Sequence, residues 1–186
     1  MGNSQVGLSR EQLQLMFIPA TALVPGVLKN CQTWFGLRQE DELSIESIAA
    51  PLELSSKPCY LILLQIEHLR SGGSSLGSSA RTYRMPFIAR VLEGRFAMSR
   101  AQSSQRGIAP KSWQQITLGA GDSYEFSSPD TWLGSINLLS ESASCFVLAG
   151  PSYSEKAVCQ GPRGQSLLGD CEVNRLRQRF SRLLSR

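Results

Sequence analysis

Trp113-Gln-Gln-Ile-Thr-Leu-Gly-Ala-Gly-Asp-Ser-Tyr-Glu-Phe126 is the stretch from which the fold of this chain is read. Ile116 and Leu118 alternate with polar neighbours, Gly119 to Asp122 turn the chain, and Tyr124 and Phe126 begin a second extended run. A strand sends successive side chains to opposite faces, so this period of two predicts strand, tight turn, strand. Asp122 is expected to cap the turn, because its short carboxylate reaches nearby backbone amides. No helix follows Gly119 and Gly121, so they read as turn glycines and not as a phosphate loop.

The same pattern extends in both directions. Upstream, Leu43 to Ile48 alternates, and Cys59 to Leu69 is the most apolar segment of the chain. That segment is continuous in its middle and alternates at its end, as suits a strand crossing a buried centre. Pro51 and Pro58 are expected to bracket a connector between the two. Arg84 to Ser99 reads as two short strands or one bent strand, with Glu93-Gly94 as the turn. Downstream, Leu133 to Leu139 and Ser144 to Ala149 add two more. Ser71 to Ser79 and Ser99 to Ser112 are polar, glycine-bearing loops. Seven or eight short strands with no helix-length segment between them predict an all-β fold, an antiparallel jelly roll, barrel or sandwich.

Helices are expected only at the ends. Ser9 and Gln12 form a capping signature ahead of Leu13, Leu15, Met16 and Phe17, which predicts a short helix stopped by Pro19. Pro25-Gly26 marks a turn, and Val27 to Phe35 is open between helix and strand. At the other end Leu176, Phe180, Leu183 and Leu184 form a helical stripe among Arg175, Arg177, Arg179, Arg182 and Arg186. The expected organisation is an N-terminal arm with its helix over 1–42 and a β core over 43–151. A Gly/Ser/Pro-rich loop follows over 152–173, then a basic amphipathic helix over 174–186.

Composition narrows the chemistry. With 41% hydrophobic and 18% charged residues over 186 positions, the chain has material for a core and is globular. The net charge of +4 is mild, but five arginines crowd into the last twelve residues. Five cysteines show no CxxC spacing, and His68 is the single histidine. That set offers neither a zinc pattern nor an even disulfide framework, so inert thiols in a reducing, cytoplasmic setting are expected. No signal peptide is recognised, and no run approaches the roughly 20 apolar residues of a membrane span.

Val91-Leu-Glu-Gly-Arg-Phe96 resembles the turn that closes the first motif of the cupin superfamily. Leu118-Gly-Ala-Gly-Asp122, with Phe126, Pro129, Asn137 and Phe146-Val-Leu-Ala-Gly-Pro151, resembles its second motif and the following strand. The resemblance covers about a third of the chain and implies a small jelly-roll barrel. Cupin metalloenzymes hold their ion through two histidines and a glutamate in the first motif and a histidine in the second. Here those positions fall at Ala80 to Tyr83, near Phe87 and near Trp132, with neither imidazole nor carboxylate among them. A transition metal needs such donors converging on one point. The resemblance therefore implies a cupin without the usual metal, and no cofactor is expected.

The leading expectation is a non-catalytic binding or assembly module, homo-oligomeric through sheet edges or the terminal helix. A small ligand in the barrel would be gripped by Tyr83, Trp113, Tyr124, Trp132 and His68. Arg175, Arg177, Arg179, Arg182 and Arg186 would meet an anionic partner, with helix packing as the plainer role. The alternatives are a self-assembling structural protein, like a viral matrix or capsid jelly roll, touching membrane or RNA through its basic tail, and a metal-free enzyme using His68 or a tyrosine.

Overall fold

The computed structural model describes residues 10–40, 43–54, 56–68, 81–82, 87–102, 112–126, 131–150 and 165–185. Eight consecutive strands carry the fold: β3 (Lys57–His68), β4 (Arg81–Thr82), β5 (Phe87–Glu93), β6 (Arg95–Gln102), β7 (Gln114–Gly119), β8 (Ser123–Phe126), β9 (Thr131–Leu138) and β10 (Ser142–Ala149). Their pairing is nested and antiparallel: β3 with β10, β4 with β9, β5 with β8, β6 with β7. This is one long two-stranded ribbon with its tip between β6 and β7. Further pairing of β10 with β5 and of β9 with β6 rolls the ribbon up. The result is a jelly roll of two facing sheets, β3-β10-β5-β8 and β4-β9-β6-β7. The first sheet is widened by β2 (Leu43–Leu54), β1 (Phe35–Glu40) and β11 (Gln165–Leu167), for eleven described strands in all.

The Trp113 stretch supplies its two strands but not as a hairpin. β7 belongs to the four-stranded sheet and β8 to the seven-stranded one. The turn between them is a corner of the roll, held by an Asp122 carboxylate that accepts from the Gly119 N–H at 2.8 Å. It is stitched to β5, whose Val91 donates to Asp122 O and accepts from the Gly121 N–H, both at 2.9 Å. Alternation is the same on either side of a hairpin and of a corner, so the pattern alone could not separate them. Pro51 and Pro58 likewise lie inside β2 and β3 and not in a connector. Each sits beyond the reach of one neighbour, since β1 pairs with β2 only as far as Ala49 and β10 reaches β3 only at Tyr60. A missing N–H is tolerated there.

The N-terminal helix α1 (Arg10–Asn30) runs through both Pro19 and Pro25. An interior proline costs about 3 kcal/mol by removing a helical hydrogen bond and crowding the preceding turn. Burial offsets it: Met16, Phe17, Ala20, Val24 and Leu28 enter the core, at about 1.5–3 kcal/mol for each large side chain. Both prolines stay on the exposed side. The C-terminal helix α2 spans Asp170–Leu184, starting four residues before the sequence stripe suggested.

Two cores result. Phe96, Met98, Leu118, Leu133, Leu138, Val91, Ile62 and Cys145 fill the space between the sheets. Ile48, Leu61, Leu63, Phe146 and Leu148 point the other way, under α1 and α2. β3 and β10 are thus covered on both faces, and every residue of β10 from Ala143 to Ala149 is buried. This explains the unbroken apolar run in the middle of the Cys59 segment. The expected loop over 71–79 lies outside the described residues, as do 103–111 and 152–164. The expected loop over 99–112 instead begins inside β6, and the one over 152–173 ends in β11 and the first turn of α2. Pairing with β1 and packing of Val173 override the local composition there.

Candidate functional site

The chemistry-bearing surface is the helical layer. Gly169 precedes α2 with an extended backbone, and the Glu172 carboxylate accepts from the Gly169 N–H at 3.0 Å. Arg38 on β1 contacts the same carboxylate and also Glu46. These contacts, the Gly169 N–H first and Arg38 next, hold the Glu172 carboxyl below the usual carboxylate range. A depressed acid contributes stability above its unfolded pKa of about 4.3 and loses it as pH falls through the folded value. Glu172→Gln is therefore expected to lower the melting temperature at neutral pH, with the gap to the parent protein closing in acid. Melts across that pH range measure it.

Val173, Leu176 and Phe180 bury the inner face of α2, with Phe180 fully enclosed. The arginines sort by what surrounds them. Arg175 pairs with Glu46 at 2.6 Å, and Arg179 reaches Glu93 and the Ser142 hydroxyl at 3.3 Å each. Arg177 turns to the end of α1, donating to Leu28 O at 2.6 Å and Cys31 O at 3.3 Å, with its guanidinium over Trp34. Those carbonyls terminate a helix, where a cation also meets the negative end of the dipole. Arg182 is exposed and makes no hydrogen bond or ion pair with a described residue. Arg186 lies outside the described residues. Between the end of α1 and α2 runs a groove of about 480 Å³ lined by Leu28, Asn174, Arg177, Gln178, Ser181 and Arg182.

Of the aromatic set and His68, the described members Trp113, Tyr124 and His68 lie in three different places. Trp113 lies on the outer side of the four-stranded sheet, where its ring occupies the place a side chain at Gly134 would need. Tyr124 is in the interior, edge-on to Phe87 and Phe96 with centroids 6.1 Å away in each case, and it hydrogen-bonds Cys145. His68 is exposed at the end of β3. Tyr124 is in register, through Ala89 and Val147, with Ile62, six residues from His68 along β3. That is roughly 20 Å of strand, too far for one catalytic site. Tyr83 and the Trp132 side chain lie outside the described residues. Burial pushes the Cys145 thiol up to about 12 and the Cys59 thiol to about 11, so both stay protonated and inert. Among the described residues, no three His, Cys, Asp or Glu side chains come together as a metal would require, and no helix is long and apolar enough to cross a membrane.

The sequence stripe located α2 but could not show which arginines were already paired. Their partners Glu46 and Glu93 are more than eighty residues away in the chain.

No family model matches the sequence, and no curated protein does. Several solved structures are similar to this chain at low identity. A structure of Drosophila melanogaster CENP-C bound to CAL1 is 12% identical over 73% of this chain and 98% of that one, with a TM-score of 0.43. KdgF from Halomonas sp. is 11% identical over 64% and 89%, with a TM-score of 0.38. Oxalate decarboxylase from Bacillus subtilis, a protein with Mn(II) centres, is 14% identical over 69% of this chain and 32% of its own, with a TM-score of 0.44.

Proposed function

We propose that this chain is a non-catalytic, cupin-like binding or assembly module that makes its contacts on the outside of the roll. One observation carries the reading: apolar side chains, from Val91 and Phe96 to Leu138 and Cys145, fill the space between the sheets. A ligand there would have to displace close-packed core and would meet few polar groups to orient it.

The outside offers a surface of the kind that assembles. Leu15 and Ile18 are 78% and 79% exposed on α1, and no charged residue occurs from Leu15 to Leu28. Leu15, Ile18, Ala22 and Gly26 follow one line along the helix, opposite the buried face. Large residues occupy one half of the line and small ones the other, and a side chain at Gly26 would meet open space. Two antiparallel copies of α1 would set the large half of each on the small half of the other, as a two-fold interface requires. The occupant proposed for this face is a second copy of the chain.

Light scattering over a concentration series tests the proposal. The protein is expected to form a small closed oligomer, and Leu15→Gln with Ile18→Gln to weaken association at least tenfold without altering the circular dichroism. A parent protein that is monomeric at every concentration contradicts the assembly reading. Growth into large particles would favour the second reading, a self-assembling structural protein, which the same uncharged helix face beside the basic α2 supports.

A further inference from the structure

Two of the α2 arginines differ from the rest. Arg175 and Arg179 are matched to carboxylates, whereas Arg177 and Arg182 face the groove between α1 and α2, and none of its lining residues is acidic. Arg177 spends Nη2 on the carbonyls that end α1 and donates Nη1 to Asn174 Oδ1 at 3.4 Å. A helix terminus carries roughly half a charge, so the guanidinium is only partly balanced. Its Nε, like that of Arg179, is buried and makes no hydrogen bond, so the difference between the two lies in the carboxylate that only Arg179 meets. Asn174, Gln178 and Ser181 stand at helical spacings of three and four beside the two arginines. The groove thus presents the open guanidinium fork of Arg182, the positive charge of the already engaged Arg177, two amides and a hydroxyl on one face of one helix.

We propose that this groove binds a phosphomonoester group, which deepens the binding-module reading above and rests on it. A phosphate monoester carries about −1.5 to −2 charges and three acceptor oxygens, matching two guanidiniums, while a carboxylate would leave one uncompensated. The volume of about 480 Å³ falls within the roughly 300–1,000 Å³ typical of sites that hold a small organic molecule, so there is room for the group that carries the phosphate. That group can be a soluble metabolite or the headgroup of a phospholipid, and the recognising chemistry is shared.

Titration of the full chain with glycerol 3-phosphate, and separately with phosphatidylcholine vesicles with and without phosphatidic acid, tests the assignment on one phosphomonoester in two settings. Arg182→Gln removes a fork, and Gln178→Glu brings a carboxylate into the groove. Both positions are exposed, so the thermal melt should not move. Each variant is expected to weaken binding at least tenfold, while Arg95→Gln, on the exposed surface of the four-stranded sheet, binds like the parent. Binding to both probes identifies a soluble phosphate ligand, and binding only to phosphatidic acid vesicles identifies a headgroup. No binding to either probe overturns the proposal, as does equal binding by the groove variants, or an equal loss in Arg95→Gln. Light scattering on the same samples reads association separately. A protein that associates through α1 but ignores both probes overturns the groove assignment alone.

Discussion

Replacing Phe146 by alanine is expected to destabilise the protein by about 3–5 kcal/mol, the usual range for emptying a buried aromatic site. Phe146 is fully buried in the middle of β10, with a neighbour strand on each side. Its ring stacks on Phe17 of α1, with centroids 5.1 Å apart and planes 22° apart. The loss therefore falls on both sides of one contact: the sheet keeps a cavity, and the helix loses the partner that helps offset its two interior prolines. For a chain of this size each kcal/mol moves the melting temperature by about 2–4 °C, so a drop of roughly 10 °C should be read by calorimetry. A shift of only one or two degrees would mean that α1 does not seat on the sheet through this pair.

Gly94→Ala is expected to be at least as damaging, for a backbone reason. Gly94 joins β5 to β6 where the ribbon passes from one sheet to the other, with φ +82°. A methyl group there would lie 2.1 Å from Ser142 O and 2.7 Å from Ala143 Cα. Both obstacles are main chain at the start of β10, and the β9–β10 connection just before it is itself tied to this corner. Leu139 N–H donates to Arg95 O at 2.9 Å, and the Ser140 hydroxyl accepts from Arg95 N–H at 2.9 Å. Neither can swing aside as a side-chain tip would. Left-handed backbone costs an alanine about 1–2 kcal/mol by itself, and the clash should raise the total to at least about 3 kcal/mol or prevent folding. Gly121→Ala separates the two terms: φ is +94° there, but the new methyl meets open space. It is expected to cost only the conformational part, about 1–2 kcal/mol. Equal effects at the two glycines, measured by denaturant unfolding, would contradict the account of the corner.

These two residues also show what the sequence made legible. Gly94 was visible as a turn glycine in Val91-Leu-Glu-Gly-Arg-Phe96, because an alternating pattern broke there and resumed. Periodicity revealed the strands and the all-β class for the same reason. It did not reveal that the breaks at Gly94 and at Gly119 to Asp122 are corners between sheets, since pairing partners are chosen by contacts distant in sequence. α1 was legible only as far as Pro19, because local propensity ranks proline as a stop and the burial of Val24 and Leu28 is a tertiary matter. The arginines of α2 were visible as a group. Their division into paired and unpaired members depends on Glu46, Glu93 and the end of α1, which only the folded chain brings near.

The measurement that tests the central claim most directly is methyl-resolved NMR on the full chain during dilution and during addition of glycerol 3-phosphate. If contacts are made outside a filled roll, methyl signals of Leu15 and Ile18 should move on dilution and that of Leu28 on addition of the phosphate. Signals of Val91, Met98, Leu118 and Leu138 should stay in place throughout. Movement of the interior set with the helical signals unchanged would put the binding site between the sheets and contradict the account.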